Sequence, residues 1–289
     1  MTLIGVGLLG GSLGLALKKR GLAKSVVGFV RRKASEADCK KLKAVDYATR
    51  DLQCAVEDAD LIVLCTPIAQ MHVLVEQMLP SVKRGAIVTD VGSVKGSVVR
   101  DLESLVARSG GHFVGSHPMA GAERTGVAYA RENLFENAVC VITPTRKSDS
   151  RAVRKIGRMW SSVGCHLLTL TPAAHDELVS RSSHLPHVVA AELANFVLDS
   201  RHPREQPALC ANGFRDTTRI ASGSPEMWRD IAMANRRNLS RALDAFMRDL
   251  QVFRRALANG DAKAIARFFE RAKQRRDHWS SKAASHSPE

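Results

Sequence analysis

The chain has 289 residues, 45% hydrophobic and 25% charged, with 43 Lys and Arg against 29 Asp and Glu and a formal net charge of +14. This is ordinary material for a globular core in one large or two modest domains, and no apolar run approaches the roughly 20 residues of a membrane span. The six cysteines are scattered, with no C-x-x-C pair to suggest a disulfide framework or a metal site, and aromatics at 5% with basic residues spread along the chain argue against nucleic-acid binding as the main function.

Thr2 to Val6 reads as a buried strand, short for a central one, which leaves a longer native N-terminus or a minimal strand as alternatives. Gly7 to Gly10 form a turn and Gly11 to Lys19 a helix that ends at Gly21. Ser25 to Val30 is a second strand, Leu42 to Thr49 a short third element, and Asp60 to Cys65 a fourth strand. Thr66-Pro67 opens a helix to about Leu79, Gly85 to Val91 is a fifth strand, and a helix follows Ser97. Strands are expected at His112 to Gly115 and Ala138 to Thr143, with one more helix–strand unit between Thr145 and Leu170. Near-continuous apolar strands alternating with helices imply a parallel sheet covered on both faces.

The pattern changes at Thr171-Pro172, a good N-cap and first-turn pair. From there to about Asp277 only helical periodicity is found, broken at Arg201 to Gln206 and around Gly213 and Gly223, and the polar tail from Trp279 is expected to fray. The fold class is therefore α/β: a Rossmann-like, doubly wound parallel sheet over residues 1–171 and an all-α domain over 172–289. With no basic leader or cleavage site in the first residues, a cytoplasmic location is expected.

Gly5-Val6-Gly7-Leu8-Leu9-Gly10 is G-x-G-x-x-G between a strand and a helix, the context in which this fingerprint binds a dinucleotide. The glycines allow a tight turn and let backbone N–H groups approach a pyrophosphate at the helix N-terminus. An NAD site wants an acid about 20 residues further on, at the end of the second strand. That place is Val30, followed by Arg31, Arg32 and, in the next turn, Ser35. Guanidiniums in place of an acid suit a 2′-phosphate, which favours NADP over NAD.

Four further stretches carry chemistry: Asp90-Val91-Gly92-Ser93-Val94-Lys95, Gly115-Ser116-His117-Pro118-Met119-Ala120-Gly121, Ser183-His184-Leu185-Pro186-His187 and Gly213-Phe214-Arg215-Asp216-Thr217-Thr218-Arg219, with Pro225-Glu226-Met227-Trp228 behind them. With the glycine fingerprint, they make a chain that resembles the prephenate/arogenate (cyclohexadienyl) dehydrogenase family from Met1 to the final helix. The resemblance implies oxidative decarboxylation of a cyclohexadienol: hydride leaves C4 for the nicotinamide, and carbon dioxide is lost as the ring aromatises. Some of the positive charge then serves to attract a phosphorylated cofactor and a dicarboxylate.

By the same resemblance, His117 is the catalytic acceptor for the C4 hydroxyl, since hydride leaves more readily as that oxygen gains negative charge. Ser93 bridges hydroxyl, imidazole and nicotinamide. Arg219 pairs with the ring carboxylate, with Arg215 ranked well below it. His187 contacts the substrate side chain and His184 supports the site. Glu123 gates the pocket, Trp228 lines it, and Lys95 is included with the substrate group although a structural ion pair is its other reading. Thr66 and Pro67 join Gly5, Gly7, Leu8, Leu9, Gly10, Arg31, Arg32 and Ser35 as cofactor contacts. No metal is expected, because His184 and His187 lack a convincing third ligand. The helical domain implies a homodimer.

Prephenate is set slightly ahead of arogenate as substrate. A β-hydroxyacid or imine reductase would carry a catalytic lysine on its second domain, and Thr171 to Ala262 contains none. A non-catalytic dinucleotide-binding protein is the alternative from another class, and it gives no reason for a histidine, serine and arginine set.

Overall fold

The computed structural model describes residues 1–122, 124–199 and 201–284, the side chains of 282–284 excepted. Two compact units are formed, Met1–Arg236 and Arg237–Glu289. The first opens with β1 (Thr2–Ile4), α1 (Leu8–Lys19), β2 (Val27–Phe29), α2 (Lys33–Leu42), β3 (Tyr47–Thr49), α3 (Leu52–Val56), β4 (Leu61–Leu64), α4 (Ile68–Met78) and β5 (Ile87–Asp90). It continues through α5 (Gly96–Ala107), β6 (His112–Pro118), β7 (Val139–Thr143), α6 (Ser150–Ser162) and β8 (His166–Thr169). The strands form one sheet in the order β3-β2-β1-β4-β5-β6-β7-β8. The chain leaves β1 toward β2 on one side and returns as β4 on the other, which creates a crevice at the carboxyl ends of β1 and β4.

Adjacent strand residues feed opposite faces. Leu3, Leu61, Val63, Ile87 and Val114 join the core under α1 and α6, whereas Ile4, Ile62, Leu64, Val88 and Phe113 join the core under α3, α4 and α5. Burying one such aliphatic side chain contributes about 1.5–3 kcal/mol, so the two-sided core explains why these strands show no polar alternation.

One pairing departs from the expected parallel sheet. β6 pairs with β5 in parallel only through Thr89↔Val114, then runs on and pairs antiparallel with β7 from Gly115↔Thr143 to Pro118↔Cys140. The strand expected to stop at Gly115 therefore extends to Pro118 and holds His117 rigidly in sheet geometry. The helix α2 was also not anticipated: its apolar content is low, and only Cys39 is buried.

After β8, the Thr171 side chain caps α7 (Pro172–Val179) by accepting from Ala174 N at 3.2 Å. A π-turn over Ser180–His184 leads into α8 (Leu185–Leu198), so Pro186 falls in a first helical turn, where its missing N–H is tolerated. Then come α9 (Glu205–Ala208), α10 (Asn212–Thr218), a 3₁₀ turn at Arg219–Ser222 and α11 (Pro225–Ala234). The break expected around Gly213 falls at 209–211, between α9 and α10, and Gly213 itself is the second residue of α10.

The second unit is a helical hairpin of α12 (Arg236–Ala258) and α13 (Ala262–Ala284), turned at left-handed Gly260 (φ +64°) and packed through Phe253 against Phe268 and Phe269. The helix α13 continues through Trp279 to Ala284, a stretch expected to fray. Among the described residues, no helix is long and apolar enough to cross a membrane.

Candidate active site

The loop from Gly5 to Gly10 lies in the crevice at the end of β1. Gly5 adopts φ +95°, and a Cβ there would sit 2.9 Å from Thr66 Cγ2. A Cβ on Gly10 would sit 2.1 Å from the Gly5 carbonyl oxygen, whereas nothing lies within 4 Å of one on Gly7. The outer glycines therefore pack the loop against β4 and α1, and Gly7 leaves an open approach to the main chain. Helix α1 starts at Leu8 with no side chain capping its first turn, so the N–H groups of Leu8, Leu9 and Gly10 are available to a phosphate. Among the described residues the buried Thr66 hydroxyl has no partner, and Pro67 is the N-cap of α4. These features fit a pyrophosphate cradle.

At the end of β2, Val30 N–H donates to the Thr49 carbonyl at 2.9 Å, and the chain turns directly into α2. Arg31 and Arg32 are exposed there, with Arg32 as the N-cap of α2 and half-buried Ser35 in its first turn. Arg31 and Arg32 thus flank the N-terminus of α2, whose first turn also carries Glu36, 3.4 Å from Arg50 Nε.

His117 is 8% exposed and lies on the overhang of β6 beyond the carboxyl end of β5. Its Nδ1 is 2.8 Å from His175 Nε2, and His175 Nδ1 is 2.8 Å from Asp176 Oδ1. The Asp176 carboxylate also accepts Lys95 N at 2.7 Å and Gly96 N at 2.8 Å, which ties α7 to the first turn of α5. Burial holds the His117 imidazole well below the usual histidine range, and His175, Lys95 and His184 act in the same direction. His117 is therefore neutral at neutral pH.

Beneath it, the Lys95 ammonium is fully buried, bonded to the Asp90 carboxylate and donating to the Ser116 carbonyl at 2.9 Å. The other Asp90 oxygen accepts Ser116 N at 3.2 Å. This corrects the expectation that Lys95 contacts substrate: no part of it reaches the surface, and it braces β6. Breaking a buried pair of this kind costs about 3–5 kcal/mol.

A second group forms on α8 and α11. The Trp228 ring stacks on His187 at 3.7 Å between centroids and meets His184 edge-on at 6.1 Å. A Cβ at Gly223 would lie 2.7 Å from Trp228 Nε1, so a glycine is needed for that indole position. His187 Nδ1–H donates to the Ser183 carbonyl at 2.9 Å, and burial lowers its pKa.

His184 is buried and pairs through Nδ1 with Asn235 Nδ2 at 3.2 Å, while the same Asn235 amide donates to the Asp176 carbonyl at 2.8 Å. Burial pushes the His184 pKa down to about 4, with Asp176 and the Ser93 main chain acting the other way. Ser93 is thus placed beside His184, and His117 bonds to His175. Arg219 is exposed, on the 3₁₀ turn that packs against α8. Glu123 lies outside the described residues.

His175, Asp176 and Asn235 were not singled out from sequence. The adjacent His-Asp pair just after the Thr171-Pro172 cap was the available signal, but His175 stands 58 positions from His117 and no spacing rule connects them. Among the described residues no cluster of three His, Cys, Asp or Glu could hold a metal ion.

A doubly wound sheet with a glycine-rich phosphate loop at its switch point, and a buried neutral histidine at the same carboxyl edge, defines a nicotinamide-dinucleotide-dependent oxidoreductase. The sequence matches the family models for the prephenate dehydrogenase nucleotide-binding domain over residues 13–169 and the prephenate dehydrogenase dimerization domain over residues 171–271. It is 37% identical to prephenate dehydrogenase of Bacillus subtilis (strain 168) over 96% of this chain and 75% of that one. It is 31% identical to cyclohexadienyl dehydrogenase of Zymomonas mobilis over 96% and 94% of the two chains. Among solved structures, A. aeolicus prephenate dehydrogenase in complex with hydroxyphenyl propionate and NAD+ superposes with a TM-score of 0.90 at 30% identity, covering 96% of each chain. Synechocystis arogenate dehydrogenase gives 0.81 at 31% identity over 96% and 99%. The chain belongs to the prephenate dehydrogenase family.

Proposed function

We propose that this chain converts prephenate to 4-hydroxyphenylpyruvate, carbon dioxide and reduced cofactor, in the biosynthesis of tyrosine. The observation that carries the reading is a buried, neutral His117 at the carboxyl edge of the sheet that holds the phosphate loop. Neutral imidazole accepts the proton of the C4 hydroxyl as hydride leaves that carbon, the C1 carboxylate departs as carbon dioxide while its bonding pair completes the aromatic ring, and the imidazolium returns the proton to the resulting phenolate oxygen. The nicotinamide, when bound, takes the hydride. Ser93 orients the hydroxyl, Arg219 holds the ring carboxylate through a bidentate pair, and His187 with Trp228 receives the side chain. His184 shapes that wall from a buried position, and Glu123 gates the entrance.

The preferred cofactor is NADP. Arg31, Arg32 and Ser35 at the start of α2 take the 2′-phosphate, and Val30 offers no acid to a ribose diol. Residues 1–171 form the nucleotide domain and 172–289 the substrate and dimerisation domain, a division supported by the change from strand–helix alternation to helices alone. A homodimer is supported by strongly exposed Phe196 on α8 and Leu209, and by Met247 and Leu250 on α12. The protein works in the cytoplasm and does not bind nucleic acid as its function.

Initial rates with prephenate or arogenate, each paired with NADP or NAD, test the proposal. Fastest turnover with prephenate and NADP is expected. Faster turnover with arogenate would reassign the substrate, and no turnover in any pairing would favour a non-catalytic dinucleotide-binding protein.

A further inference from the structure

The use of His117 as an acceptor requires its free nitrogen to carry a lone pair, and the hydrogen bonds behind the ring determine which nitrogen that is. Asp176 is the fixed end of the chain. Its carboxylate accepts Lys95 N at 2.7 Å and Gly96 N at 2.8 Å at the positive end of α5, a twelve-residue helix. Two main-chain N–H groups thus already donate to this carboxylate, and His175 adds a third hydrogen bond. Being only an acceptor, Asp176 Oδ1 places a proton on His175 Nδ1, 2.8 Å away. In the neutral ring the lone pair is then on His175 Nε2. The group facing it at 2.8 Å is His117 Nδ1, which must donate. His117 Nε2 is left with the lone pair.

We propose that His175 and Asp176 are positioning residues, forming a relay Asp176–His175–His117 that locks His117 in its Nδ1–H tautomer and presents Nε2 as the acceptor for a substrate hydroxyl. The assignment rests on the role given to His117 above. His175 is fully buried and its ring meets that of His117 at 70°, so the relay also fixes the orientation of the catalytic imidazole. The opposite polarity, with a cationic His175 donating to His117 Nδ1, would turn Nε2 into an N–H donor and remove the base. Asn235 holds the same assembly from the other side, donating to the Asp176 carbonyl at 2.8 Å and pairing with His184.

The test is ¹⁵N spectroscopy of histidine-labelled full-length enzyme without substrate, with His117 assigned by the signals lost in His117→Asn. The relay predicts a pyrrole-type shift for His117 Nδ1 and a pyridine-type shift for Nε2 at neutral pH. His175→Phe removes the acceptor and should mix the tautomers; His175→Gln restores an acceptor oxygen near the position of Nε2 and should return the wild-type pattern. In kinetics, His175→Phe should lower kcat about 10- to 100-fold with KM changed less than about threefold, and His175→Gln should recover most of the loss.

A protonated Nε2 in the wild-type spectrum would overturn the relay, as would unchanged His117 shifts in His175→Phe. The wild-type spectrum is decisive by itself, so a His175→Phe protein that fails to fold leaves the tautomer still measured. If the tautomer is as predicted but His117→Asn turns over normally, the relay stands and the catalytic role of His117 fails.

Discussion

The Asp176 carboxylate accepts the backbone N–H of Gly96 at 2.8 Å across 80 positions of sequence, and a Cβ on Gly96 would lie 2.7 Å from the same oxygen. One contact therefore joins the first turn of α5 to the helix that carries His175, and only glycine fits beneath it. Gly96→Ala has two opposed effects. Helix propensity favours alanine by up to about 1 kcal/mol in a helix interior, less at a first-turn position. Against this, displacing a carboxylate held by several hydrogen bonds costs about 1–3 kcal/mol. The clash wins, and Gly96→Ala should lower both Tm and kcat, as read by calorimetry and initial rates. An unchanged Tm would show that Asp176 adjusts freely.

Acid should destabilise the protein through its buried histidines before its carboxylates titrate. The pKa of His184 falls from 6.5 to about 4 on folding, and that of His117 is also well below its usual range. A histidine with a depressed folded pKa binds more protons when unfolded, so stability is complete above pH 6.5 and declines as pH falls toward the folded value. At about 1.4 kcal/mol per unit, His184 alone accounts for roughly 3 kcal/mol between pH 6.5 and 4. Urea midpoints at pH 7.5, 6, 5 and about 4 should fall across this window, and His184→Gln should flatten the decline.

The proposed NADP preference rests on Arg31 and Arg32. Replacing both with alanine removes charge-assisted bonds to a 2′-phosphate, each of about 1.5–3 kcal/mol, so KM for NADP should rise at least about tenfold. KM for NAD should stay within about twofold. Equal loss with both cofactors would move the phosphate contact elsewhere.

Arg219 is assigned to the ring carboxylate. Arg219→Lys keeps the charge but loses the planar fork, and Arg219→Ala loses both. KM for prephenate should rise about tenfold in the first and further in the second, with kcat falling less than KM rises. A fall in kcat alone would place Arg219 in the chemical step and not in substrate binding.

Much of this molecule was legible in its residues because the relevant signals are local. The G-x-G-x-x-G turn, the buried strands and the Thr171-Pro172 cap each act within a few positions, and the structure bears them out. What escaped depends on tertiary contacts. Lys95 reads as either a substrate contact or a structural ion pair, and only the approach of β5 and β6, with Asp90 and the Ser116 carbonyl around it, favours the ion pair. The extension of β6 to Pro118 follows from antiparallel pairing with β7, which no periodicity in either segment announces. His175 and Asp176 acquire meaning only when α7 packs beside α5. The motifs thus pointed to the glycine loop and His117, while His175 and Asp176 behind the His117 ring emerged only from packing.

The central claim is that the chain couples hydride loss at C4 to loss of the ring carboxylate. It is tested most directly by incubating the enzyme with a limiting amount of prephenate and excess NADP, then quantifying reduced cofactor, carbon dioxide and product. The account predicts one equivalent of each, with 4-hydroxyphenylpyruvate as the organic product. Reduced cofactor without carbon dioxide, or carbon dioxide without reduced cofactor, would contradict it.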